Sequence, residues 1–164
     1  MTDPRRLPPI WLMGLTNSVF GLMGGFAVVT VPEMLAAQGV PGGHIAVIVA
    51  VTLSPAFWAF LLSPMLDVRF SRRTYAIVFG TLAAAAVGFT VYDHRSPGVV
   101  EAVMIAGYVA AAFYQGAVGG WTGSLISHEH DSSLGVWFAV ANTGSSGLMI
   151  LLAGSIVRRF PPAE

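Results

Sequence analysis

The chain has no cysteine, no lysine and few charges of either sign. Without cysteine there can be no disulfide framework and no thiolate metal site, although the compartment stays open. All eight basic residues are arginine, and eight acidic residues balance them to a formal net charge of zero. A nucleic-acid surface needs a basic excess, so no nucleic-acid partner is expected. Charged residues make up 10% of the chain, against about 25% in an average soluble domain. A solvated surface of ordinary size cannot be built from that supply. What fills the chain instead is apolar: 55% hydrophobic residues and a mean hydropathy of +0.72. Long parts lack the polar faces that a soluble helix needs between its apolar stripes. The 164 residues have room for about five or six membrane crossings and little else.

The stretch from His44 to Thr90 sets the pattern. Two apolar runs, 44–65 and 74–92, flank the short charged segment Leu66-Asp67-Val68-Arg69-Phe70-Ser71-Arg72-Arg73. Each flank is about 20 residues, enough to cross a hydrocarbon core of roughly 30 Å as a helix. The link is too short to be a domain and too charged to stay in lipid. It reads as the tight basic turn of a membrane hairpin.

The rest of the chain extends that theme. Residues 1–9 form a short polar tail, with Arg5 and Arg6 just ahead of the first apolar run. That run, from Ile10 to about Val31, is longer than a signal-peptide core and lacks a clear small-residue cleavage site, so it predicts a first transmembrane helix. Gly14, Gly21, Gly24 and Gly25 permit close helix packing there. Glu33 to Gly43 reads as a loop. The second helix, 44–65, carries Pro55 near its middle, where a kink is expected, and Pro64 at its end. The third spans 74–92 and is nearly all alanine and leucine at its centre. Asp93 to Gly98 is a turn-like break. A fourth helix covers 99–125, with Gly116, Gly119, Gly120 and Gly123 loosening its end. The polar loop Ser127 to Ser133 leads to a fifth helix, 134–157, and 158–164 form the C-terminal tail. The expected architecture is an all-α polytopic bundle of five transmembrane helices over residues 10–157.

Arginine placement orients it. With a cytoplasmic N-terminus, Arg5, Arg6, Arg69, Arg72 and Arg73 lie inside, and the outer loops hold only Arg95. Five crossings then put Arg158 and Arg159 outside, against the same rule. Either the rule fails at that end, or the chain is a piece of something longer.

The turn Ser63-Pro64-Met65-Leu66-Asp67-Val68-Arg69-Phe70-Ser71-Arg72-Arg73 resembles the loop signature of the major facilitator superfamily, written G-x-L-a-D-R-x-G-R-R. Asp67 matches its aspartate and Arg72-Arg73 its terminal basic pair. Ser63 stands for the first glycine and Ser71 for the second, while Val68 is an insertion before Arg69. The preceding Phe57-Trp58-Ala59-Phe60-Leu61-Leu62-Ser63-Pro64 looks like the aromatic-rich helix of the muropeptide permease and acetyl-coenzyme A transporter branch, with Ala59 replacing a basic residue. The resemblance implies helices one to five of a twelve-helix transporter in the bacterial inner membrane. Asp67, Arg69, Arg72 and Arg73 would then form a gating loop, a charge-assisted clasp made in one conformation and released in another. The plainer alternative is a positive-inside anchor.

Uncharged polar groups fall at mid-membrane depth on four helices: Asn17 on the first, Ser54 and Trp58 on the second, Tyr114 and Gln115 on the fourth, Asn142, Thr143, Ser145 and Ser146 on the fifth. Such groups need partners or water, so they face a cavity or another helix. Asn17, Trp58, Tyr114, Gln115 and Asn142 are the candidate cavity-lining residues, because the resemblance implies a cavity between helices one, two, four and five. The competing reading is that they join helices to one another.

Other chemistry is thin. Glu33 and Glu101 sit near helix ends, where snorkelling or capping outweighs proton relay. His128 and His130 have a metal-ligand spacing, but one short loop without further ligands favours a solvated connector, and no metal is expected. Gly144-Ser145-Ser146-Gly147 lies in an apolar helix without a neighbouring base, and no cofactor motif or paired acid and base suggests an enzyme. The functional expectation is a partial or truncated secondary transporter. Its partners would be the lipid bilayer, an unknown small-molecule substrate and a second chain completing the transporter. The alternative is a small non-transporting membrane protein that binds or regulates a partner.

Overall fold

The computed structural model describes residues 7–93 and 96–159, with side chains described as far as Ser155. Arg5, Arg6 and Arg95, which carry much of the orientation argument, lie outside the described residues. So do the side chains of Arg158 and Arg159 and the tail beyond them. The described residues form helices and turns without strands. Five helices are long and apolar enough to cross a membrane. They are α1 (Ile10–Ala37), α2 (Gly42–Asp67), α3 (Arg72–Tyr92), α4 (Pro97–Gly123) and α5 (Asp131–Arg159).

The first helix is longer than its sequence suggests. It does not stop at Val31: Met34 and Leu35 continue its buried stripe, and Glu33 lies on its exposed side rather than in a loop. A π-type turn at Phe26–Thr30 ends beside Pro32, whose ring does not fit against a regular i−4 carbonyl. The helix closes at Gly39, which adopts φ +77°. There the Gly39 N–H donates to the Ala36 carbonyl at 2.9 Å and the Val40 N–H to that of Leu35 at 3.1 Å, a Schellman cap. Near its start α1 is broken at Thr16-Asn17, between the α-helical pieces Ile10–Leu15 and Ser18–Gly25. The Thr16 and Ser18 hydroxyls donate back to the carbonyls of Met13 and Leu15, competing with the backbone ladder.

In α2 the expected break at Pro55 is present. Regular helix covers Gly42–Leu53, a short piece covers Pro55–Trp58, and Ala59–Asp67 is wound as a 3-10 helix with Pro64 inside it. The glycines read as loosening the end of α4 do not do so, since that helix is continuous to Gly123. The loop before α5 ends earlier than its sequence suggests: a 3-10 turn covers His128–His130 and α5 begins at Asp131.

Small residues decide the packing. α5 lies along α1, and an added Cβ at Gly14, Gly21 or Gly25 would run into Trp137, Asn142 and Ser146 respectively. α3 lies along α4, where a Cβ at Gly107 would come within 2.5 Å of the Ala86 Cβ. Without a hydrophobic driving force in lipid, such backbone approaches maximise dispersion between helices. α2 packs on α4 and on the C-terminal half of α1. Met23, Phe26, Leu35, Ile48, Val100 and Met104 fill the core between them. The outer surface is strongly apolar, with Phe57 and Leu151 each 80% exposed and Leu61, Ile77 and Leu82 alongside. A surface of that kind is suited to lipid, and the chain is an integral membrane protein by this architecture.

Candidate functional site

The turn between α2 and α3 is built by local chemistry. Val68 is extended, and Arg69 takes the left-handed conformation, φ +74°. The Phe70 N–H donates to the Val68 carbonyl at 3.0 Å, so the chain reverses across one residue. Tyr75 donates its hydroxyl to the same carbonyl. Ser71 then caps α3, its Oγ accepting from the Thr74 N–H at 3.2 Å. The reversal carries Arg72 back to Asp67. Its Nε and Nη2 donate to Asp67 Oδ1 at 2.9 and 2.5 Å.

The other two arginines of the turn do not join this pair. Arg69 lies over the Phe70 ring, 5.7 Å from its centroid, and Arg73 makes no ion pair among the described residues. The turn does rest on α4. Leu66 is buried there, and a Cβ at Gly116 would stand 3.2 Å from its Cδ1. One turn further along α4, a Cβ at Gly120 would overlap the Arg72 guanidinium. Gly116 and Gly120 therefore form the seat of the turn. Their four-residue spacing was visible in the sequence, but the residues they receive were not.

The mid-membrane polar groups separate into two sets. Gln115 and Asn142 border clefts. One cleft of about 270 Å³ lies between α1, α2 and α4 and is lined by Phe20, Pro55, Phe60, Ser63 and Gln115. A second of about 300 Å³ joins α1, α2, α4 and α5 and is lined by Phe20, Leu53, Tyr108, Asn142 and Ser146. Phe20 borders both, so the clefts adjoin along one face to which α3 adds nothing. Tyr108 and Phe20, in edge-to-face contact, were not singled out in the sequence; both look like ordinary core aromatics there.

Asn17, Trp58 and Tyr114 line neither cleft. Asn17 is 2% exposed, and its Nδ2 donates to the Phe138 carbonyl of α5 at 3.1 Å, while its Oδ1 is buried without a partner. It joins helices. Tyr114 does the same: its ring lies over Gly80 of α3 and its hydroxyl donates to the Thr16 carbonyl at 2.6 Å, satisfying a group freed by the break in α1. Trp58 is exposed, its indole N–H 3.3 Å from Ser54 Oγ.

At the connector between α4 and α5, His130 bonds Ser127 and His128 bonds Asp131, each at 3.0 Å. No group of three or more His, Asp or Glu side chains able to hold a metal occurs among the described residues. Fold and site together define an all-helical membrane protein with a charged turn seated on its fourth helix. No family model, curated protein or solved structure matches the chain.

Proposed function

We propose that the chain is part of a secondary transporter of the major facilitator type, its first five helices, moving a small solute by alternating access when complete. The observation that supports this most is the seat of the turn. Asp67 and Arg72 are paired at a helix end, with side chains 58% and 40% exposed, and Arg72 rests on the backbone of α4. An ion pair that exposed is worth under about 1 kcal/mol. A contact of that size shifts a two-state equilibrium by no more than about fivefold, so it is made and released without holding a single state.

The helix pairing lends further support. Half-transporters of this type contain two inverted three-helix repeats. Exchanging helix one with four and two with five turns the α1–α5 contact into the α4–α2 contact, and both are present. No charged side chain lines the two clefts among the described residues, so contacts made to a solute there are uncharged. On this reading the N-terminus and the turn face the cytoplasm of a bacterial inner membrane, and further helices complete the solute site.

Because the chain has no cysteine, single-cysteine variants need no prior removal. In membranes, Gln115→Cys and Asn142→Cys should react with a water-soluble thiol reagent. Asn17→Cys and Ala84→Cys should stay protected, the first between helices and the second among apolar groups. Reactivity at Gln115 and Asn142 no higher than at Ala84 would remove the wet cleft and with it the transporter reading.

A second reading, a non-transporting subunit that docks the transmembrane helix of a partner, is favoured by one feature. An apolar groove of about 290 Å³ between α1 and α3 is lined by Val19, Leu22, Phe26, Ala83, Ala84 and Val87. That reading expects Ala84→Cys to cross-link to a neighbouring protein while both cleft positions stay dry.

A further inference from the structure

A further cavity lies at the end of the bundle that carries the turn. It measures about 620 Å³ and is lined by Ser71, Arg72, Arg73, Gly120, Trp121 and Ser124. It opens between the N-terminus of α3 and the C-terminal end of α4. Three kinds of group on its wall favour an anion. Arg73 is exposed and unpaired among the described residues. Arg72 spends Nε and Nη2 on Asp67, leaving Nη1 against Gly120 at the cavity wall. The first two N–H groups of α3 have no partner within the helix, and its dipole places positive charge at that end. Ser71 and Ser124 complete the rim, their hydroxyls bonded to Thr74 and to the Trp121 carbonyl.

The local charge agrees. Three arginines against one aspartate leave the segment 66–73 at a formal +2, and no acidic side chain lines the cavity. Asp67, the acid of the same turn, is already paired with Arg72. A carboxylate ligand would use one such donor pair. A tetrahedral anion with three or four acceptor oxygens uses a guanidinium fork and helix N–H groups together.

We propose that this cavity binds a phosphate group, carried by the headgroup of an anionic phospholipid or present as free phosphate. The level in the membrane is right for a headgroup. Trp121 stands where the apolar span of α4 ends, as interfacial aromatics do, and Phe70 and Val68 are exposed on the turn beside it. Basic pockets between transmembrane helices hold lipid phosphates by this chemistry. The inference concerns the outer wall of the turn and does not rest on the transporter reading.

The test uses the whole chain in nanodiscs of phosphatidylcholine, with and without phosphatidylglycerol, and in phosphatidylcholine with added inorganic phosphate. Thermal stability and native mass spectrometry read binding. Phosphatidylglycerol should raise the melting temperature and stay bound on release, and Arg73→Gln should weaken that binding about tenfold, the loss of one charge-assisted hydrogen bond. Arg73→Gln breaks no ion pair among the described residues, so folding should survive it. Arg69→Gln removes the same charge from outside the cavity and should leave the affinity within about twofold. Stabilisation by inorganic phosphate as well, sensitive to Arg73 in the same way, assigns free phosphate as the source. Equal weakening by Arg69→Gln and Arg73→Gln, or no preference for either anion over phosphatidylcholine alone, overturns the site.

Discussion

Gly24 and Gly25 are neighbours in sequence, yet they should respond oppositely to alanine. A Cβ at Gly25 would lie 2.7 Å from the Ser146 carbonyl oxygen and 2.9 Å from the Met149 Cβ, both on α5. Ordinary contact begins near 3.4 Å, so the two helices would have to part by about 0.7 Å. A gap of that width forfeits a quarter to a half of each dispersion contact along the seam, and overpacking of this kind costs about 1–3 kcal/mol. At Gly24 the nearest atom is the Ser146 hydroxyl at 3.7 Å, so alanine fits. Its better helix propensity should then stabilise by up to about 1 kcal/mol. Unfolding of both variants in mixed micelles by titration with a denaturing detergent, followed by far-ultraviolet circular dichroism, measures the difference. We expect Gly25→Ala to be the less stable by about 1–4 kcal/mol. Equal midpoints for the two variants would refute the idea that α1 and α5 meet backbone to backbone.

Three further outcomes follow from named contacts. Gly120→Ala should displace the Arg72 guanidinium and open its pair with Asp67; in a double-mutant cycle Asp67→Asn should then add less than it does alone, with a coupling below about 1 kcal/mol, whereas strict additivity would mean that Gly120 does not seat the arginine. Tyr114→Phe should cost about 1 kcal/mol in the same unfolding assay, because the Thr16 carbonyl loses its donor, and an unchanged midpoint would show that water replaces it. Arg69→Gly should raise stability by up to about 1 kcal/mol by relieving the left-handed backbone, so a loss of stability would give the Arg69 contact with Phe70 more weight than its geometry suggests.

The number of helices was legible because each apolar run is set by bilayer thickness, and Pro55 marked the break in α2 for a backbone reason that needs no partner. The end of α1 was misread because Pro32 and Glu33 look like stop signals, while the wide turn before Pro32 accommodates the ring. The real stop, Gln38-Gly39, is present in the letters, but beside Pro41-Gly42-Gly43 it looks like any other loop segment. Which polar groups meet the clefts was not legible. A helix that is apolar on every side has no rotational phase written in its sequence, so Asn17 and Asn142 look alike there. Only packing turns the first toward Phe138 and the second toward the cleft. The glycines of α4 were ambiguous for a related reason: a glycine in a helix reads equally as weakness or as a seat until Leu66 and Arg72 are known to sit on it.

The 3-10 winding of Ala59–Asp67 sets how far α2 reaches. Nine residues wound this way rise about 18 Å, where an α-helix would rise about 13.5 Å. Asp67 is thus delivered roughly 4 Å further along the bundle than the same residues would carry it as α-helix. With three residues per turn, side chains at i and i+3 stand in straight rows instead of spiralling. Phe60, Ser63 and Leu66 make one such row: the first two border the cleft beside Gln115, and the third rests on Gly116. Cleft and charged turn are the two ends of a single rod, so rewinding those nine residues would shorten the rod and move both ends at once.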